Sequence, residues 1–109
     1  MPLSIKDVME RMPEAFLPEK AEGVEAVIQF EFTGEEEGNW VATIGEGACQ
    51  VISGEAKQAT LKLAADSQDY LDVLTGKVNG TKAFMQGKLK LIGDLSLAMK
   101  MLSYFDLSE

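Results

Sequence analysis

The chain has 109 residues, 46% of them hydrophobic and 26% charged, with a net charge of −8 and no histidine. That length supports one domain around one core, spanning residues 1–109, and that charge excludes holding nucleic acid by neutralising its phosphates. The missing histidine removes the commonest general base, the usual nucleophile-activating triad and most zinc sites.

The first predicted element is a short helix from Ser4 to about Phe16. Ser4 caps it, and Ile5, Val8, Met9 and Met12 recur at helical spacing until Pro13 interrupts the pattern. Val24–Thr33 then alternates as a half-buried strand. Val24, Ala26, Ile28, Phe30 and Phe32 share one face, and Glu25, Gln29 and Glu31 share a wet one with Val27. Gly34–Gly38 is a charged hairpin loop whose three glutamates, Glu35 to Glu37, are expected in solvent. Asn39–Ile44 is the return strand, Gly45–Gly47 a turn and Ala48–Ser53 a third strand, completing a meander.

After a loop, Thr60–Ala65 reads as a fourth strand with Leu61, Leu63 and Ala65 inward. Asp66 or Ser67 caps a helix bearing Tyr70, Leu71 and Leu74, and Gly76 closes it. A second short helix spans about Gly80–Gln86. Lys88–Ile92 is a fifth strand with Leu89 and Leu91 inward and lysines outward, which discourages edge pairing. Gly93 turns the chain, Asp94 caps, and Leu95–Leu102 forms a last helix extending toward Phe105. The layout is a two-layer α/β (α+β) domain: one sheet with an apolar face and helices gathered against it.

Catalytic and cofactor motifs are missing. Cys49 is the one cysteine, lies on an alternating strand and has no base partner, so it reads as a packed core thiol that suits a reducing compartment. Gly76-Lys77 and Gly87-Lys88 lack the preceding glycine of a phosphate loop. Asp66, Asp69 and Asp72 open a helix, where acids favour the dipole. No cofactor and no metal is expected, and the chain is not expected to be an enzyme. No run approaches the ~18 apolar residues of a membrane span. The N-terminus, Met1–Asp7, has no apolar signal region, and Leu107-Ser108-Glu109 is no peroxisomal address, so a cytoplasmic location is expected.

Charge is uneven. Residues 1–55 hold 12 acidic and 3 basic residues, a balance of −9, whereas residues 56–109 hold 6 and 7, a balance of +1. Transient contact with an anionic membrane would therefore use the second half, where Lys82, Lys88, Lys90 and Lys100 lie.

The last helix carries surplus apolar surface. At about 100° per residue its polar arc holds only Ser96, Lys100 and Ser103, and the apolar arc covers roughly 220° against the ~100° of an ordinary surface helix. Leu95, Met99 and Leu102 form one stripe, and Leu97, Met101 and Tyr104 another. One stripe is expected to meet the sheet and the other not to. A second helix, a partner chain, an apolar ligand or a membrane could cover the other.

The run from Lys82 to Leu102, KAFMQGKLKLIGDLSLAMKML, resembles the C-terminal signature of the sterol carrier protein 2 (SCP-2) family. Gly38-Asn39-Trp40, Ala59–Leu63 and Asp69–Lys77 agree with that family in order, so the resemblance covers roughly residues 4–105. It implies a five-stranded mixed sheet with helices on one face, enclosing an apolar tunnel. It also implies non-catalytic binding and intracellular transfer of fatty acids, fatty acyl-CoA, phospholipids and, in some members, sterols.

Matched position by position, Phe84, Met85 and Gln86 fall near the tunnel, and Leu95, Met99 and Leu102 on the helix that closes it, with Phe105 just beyond. Phe30 and Trp40 are expected to complete the apolar wall, with Gln86 orienting a carboxylate or ester. The sequence departs from the family in having Asn79-Gly80-Thr81 where a proline-containing turn is common. The competing expectation is a dimeric interaction or accessory module without a lipid ligand. A monomer or weak homodimer is expected.

Overall fold

The computed structural model describes residues 4–105, apart from the Leu102 side chain. Helix α1 (Ile5–Ala15) leads into β1 (Ala26–Thr33), β2 (Gly38–Gly45) and β3 (Ala48–Ser53). Then follow β4 (Leu61–Asp66), α2 (Ser67–Leu74), α3 (Gly80–Met85), β5 (Leu89–Gly93) and α4 (Leu95–Met101). The five strands form one mixed sheet in the order β3-β2-β1-β4-β5. Only the β1–β4 pair is parallel.

The alternation of β1 decides which face is buried. Ile28, Phe30 and Phe32 point to the helical layer, together with Ala42 and Ile44 of β2 and Leu61, Leu63 and Ala65 of β4; all are buried. α1 lays Ile5, Val8, Met9 and Met12 into the same core near β3, and α2 adds Tyr70, Leu71 and Val73. Each large side chain buried here contributes roughly 1.5–3 kcal/mol relative to exposure. Phe30 stacks on Phe32 with ring centroids 5.8 Å apart, and Tyr70 meets both rings. Cys49 is buried on this face, as its strand position implies.

α1 runs on through Pro13 to Ala15, close to its expected end at about Phe16. Pro13 lies exposed near the end of the helix, and its missing N–H leaves the Met9 carbonyl without its ordinary i+4 donor. Three expectations are corrected. Glu36 is not a free loop acid: both its carboxylate oxygens accept the Ile5 N–H, at 3.0 and 2.9 Å, so it helps Ser4 cap α1. Gln29 is not on a wet face but is buried. Finally, α4 stops at Met101, a 3-10 turn follows, and Phe105 is extended against Phe16 in an isolated antiparallel bridge.

Gln29 matters for the topology. From β3 the chain must pass β2 and β1 to reach β4, a lateral step of about 14 Å at ordinary strand spacing. Seven extended residues span about 23 Å, so the short link 54–60 suffices without a helix. It crosses the side of the sheet away from the helices. There the Gln29 amide donates to the Gly54 carbonyl at 3.1 Å, and its oxygen accepts the Ala56 N–H at 2.6 Å. The Thr60 N–H donates to the Val27 carbonyl at 2.7 Å and starts β4 in register.

Candidate functional site

Beyond β4 the helical layer is incompletely filled. α2, α3 and α4 stand over the β4–β5 half of the sheet and leave an open cavity of about 450 Å³. That size falls within the range of small-molecule sites. Its floor is Leu63 of β4 with Leu89 and Leu91 of β5, side chains on the inward face. Tyr70 and Val73 of α2 form one wall, Phe84 and Met85 of α3 a second, and Leu95, Ala98, Met99 and Met101 of α4 a third. Among the described residues none of those lining it is charged.

Local signals set each wall. Asp66 accepts the Gln68 N–H and caps α2, and the Thr75 hydroxyl donates to the Leu71 carbonyl at the helix end. Asn79 caps α3 by accepting the Lys82 N–H at 3.1 Å, so its side chain has a local structural task. Asp94 accepts the Leu97 N–H and caps α4, while its own N–H donates to the Thr60 carbonyl. Gly93 makes this junction: it has φ +117°, and a Cβ there would lie 2.4 Å from the Thr60 carbonyl oxygen. α4 is thereby anchored to the start of β4.

The two stripes of α4 separate as expected. Leu97, Met101 and Tyr104 are buried. Leu95 and Met99 are not: Met99 is 80% exposed, although both line the cavity. Across the mouth, Met85 is also 80% exposed and Phe84 41%. Four large apolar side chains thus rim one opening. Lys82, Lys88 and Lys100, on or next to the same elements, are exposed as well.

Of the residues singled out from the sequence, Phe84, Met85, Leu95 and Met99 come together at this cavity. Phe30, Trp40, Gln86 and Phe105 are outside its lining. Phe30 is fully buried among Phe32 and Tyr70, and Trp40, opposite Phe30 in the β1–β2 register, is half-buried against the core. Gln86 is exposed at the C-terminal cap of α3. Phe105 packs on Phe16 at 5.6 Å between centroids, fastening the chain after α4 to the end of α1. The Leu102 side chain lies outside the described residues.

Sequence reasoning missed Tyr70, Val73, Ala98 and Met101 as cavity residues. They carry ordinary core periodicity, and only the gap between α2 and α4 distinguishes them. Among the described residues no acidic or cysteine cluster suits a metal, and no helix is long and apolar enough to cross a membrane.

A family model described as the SCP-2 sterol transfer family matches residues 5–106. Hydroxysteroid dehydrogenase-like protein 2 of Xenopus tropicalis is 40% identical over 84 residues, covering 76% of this chain and 20% of its own. The chain thus spans about a fifth of the length of the curated relatives it matches. The solution structure of sterol carrier protein domain 2 of Helicoverpa armigera is 29% identical with a TM-score of 0.77, covering 94% of this chain and 85% of that one. Palmitated SCP2L2 from Aedes aegypti, at 23% identity and a TM-score of 0.73, covers 93% of each.

Proposed function

From the membership of this chain in the SCP-2 sterol transfer family, we propose that it binds single-chain apolar lipids non-catalytically in the cavity between β4–β5 and α2–α4, and hands them on at membranes. The supporting observation is the uncharged cavity itself, with Leu95 and Met99 lining it on the side of α4 that does not meet the sheet. An acyl chain placed there would cover the apolar rim. Burying about twelve methylenes gives on the order of 10 kcal/mol before association and ordering costs, which is consistent with affinities near micromolar. Fatty acids are the first class to test, since the similarly folded SCP2L2 of Aedes aegypti is palmitated; fatty acyl-CoA, phospholipids and sterols follow.

The dehydrogenase-like name belongs to relatives about five times longer than the matched segment, and no dehydrogenase role is assigned to this domain. Release follows from the same geometry. Met85, Met99, Phe84 and Leu95 would enter the acyl boundary, and Lys82, Lys88 and Lys100 would face anionic head groups.

The test is native mass spectrometry of protein purified without detergent, followed by fluorescent fatty-acid displacement on the wild type and on Ala98→Phe, which fills the cavity. Saturable uptake abolished by Ala98→Phe is the expected result. Absence of both bound lipid and displacement overturns the reading, and a tight dimer without uptake would replace it with an interaction module.

A further inference from the structure

The cavity has one polar group at depth. Asn79 and Thr81, its other polar side chains, are exposed at the α3 end. Tyr70 is 97% withdrawn from solvent and lines the cavity. Its ring is held by Phe30 and Phe32 at 5.8 and 5.2 Å. Among the described residues its hydroxyl has no hydrogen-bond partner, yet no fully enclosed side-chain oxygen or nitrogen is left unsatisfied. The hydroxyl is therefore not fully enclosed, and Tyr70 is one of the residues that line the cavity.

A donor without a partner among the described residues is satisfied by whatever reaches it, water or a ligand. We propose that Tyr70 is the inner polar anchor of the cavity, donating its hydroxyl proton to an uncharged oxygen at the inner end of the ligand: an alcohol, a ketone or an ester carbonyl. This rests on the lipid-binding reading and deepens it by naming the ligand class. Burial keeps the phenol protonated well above its ordinary pKa, so it acts as a donor at any physiological pH. An ionised carboxylate is not the inner group. Among the described residues no cation lines the cavity, and a single neutral donor does not compensate a buried charge. Ionised fatty acids then bind with the carboxylate at the mouth, and neutral amphiphiles bind with the oxygen inward.

Isothermal titration of 1-decanol and of decanoate at pH 8 tests this on the wild type and Tyr70→Phe. The variant is expected to bind decanol about five- to tenfold more weakly, the effect of one hydrogen bond, and decanoate within about twofold of wild type. Its melting temperature should stay within about 2 °C, because the lost hydroxyl had no partner among the described residues. In wild-type protein labelled at the tyrosine ζ carbon, the Tyr70 signal should move with decanol and not with decanoate, a readout independent of the variant's folding. An equal loss for both ligands, an unchanged decanol affinity, or a Tyr70 signal indifferent to decanol overturns the anchor while leaving lipid binding intact. If neither ligand binds wild type, the lipid-binding reading falls and the anchor falls with it.

Discussion

The side-chain oxygen of Gln29 accepts the backbone N–H of Ala56 at 2.6 Å, and this contact helps join a central strand to the loop that crosses behind it. The Gln29 amide also reaches the Gly54 and Phe30 carbonyls at 3.1 and 3.3 Å. Replacing Gln29 by Leu leaves a partly buried N–H and carbonyl without partners, at about 1–3 kcal/mol. Urea unfolding should show a loss of that size, with faster amide exchange at Ala56. Lipid affinity should be unchanged, since the cavity is on the opposite side of the sheet.

Gly93 should not tolerate a side chain. At φ +117° with the Thr60 carbonyl 2.4 Å from the position of a Cβ, Gly93→Ala must both strain the backbone and displace the start of β4. A destabilisation of about 2–4 kcal/mol is expected by thermal and urea unfolding. Decanoate binding should weaken with it, because α4 hangs from this junction.

Glu36→Ala tests the distant cap of α1. The carboxylate meets the Ile5 N–H from another element, so its loss should cost about 0.5–2 kcal/mol, comparable with losing an N-cap. Glu36→Gln keeps an acceptor and should recover part of that. Hydrogen exchange concentrated in the first turn of α1 would distinguish a lost cap from a general loosening.

Alkaline pH should destabilise the fold through Cys49. Burial pushes its thiol from an ordinary value of 9.0 up to about 11. The unfolded chain releases this proton first, so the stabilisation is complete below pH 9 and is lost as pH rises toward 11. Tyr70, whose phenol burial also raises, adds a loss of the same sign beginning near pH 10. Urea midpoints between pH 8 and 11 should fall less steeply for Cys49→Ala than for the wild type. A thiol reagent at pH 8 should label native Cys49 only as fast as the protein opens.

Met99 separates binding from folding. At 80% exposure it contributes little to the core, so Met99→Asp should change stability by no more than about 0.5 kcal/mol. A charge at the apolar rim should nevertheless weaken decanoate binding by about tenfold. Leu97→Asp on the buried stripe should unfold the protein instead.

Much of the fold was legible because its strands alternate. Phe30 and Phe32 could be assigned inward, and Leu61 and Leu63 with them, since a half-buried strand has a strict period of two. The site was less legible. Phe30 and Trp40 carry the same apolar signal as Phe84 and Leu95, and nothing in residue type says which surround a void and which fill the core. Tyr70 shows this most clearly: on the helical wheel it is a core residue, and only the space beside its hydroxyl makes it a candidate anchor.

The surplus apolar arc of the last helix was evident in Leu95, Leu97, Met99 and Met101 alone, because helical geometry places them on more than one face. Their division was not. It follows from the fastening of Gly93 and Asp94 to Thr60, which fixes the rotation of α4 about its own axis. That rotation turns Leu97 and Met101 into the core and leaves Leu95 and Met99 at the opening. Local periodicity sets which residues are apolar together; a contact about thirty residues away in sequence sets which way they face.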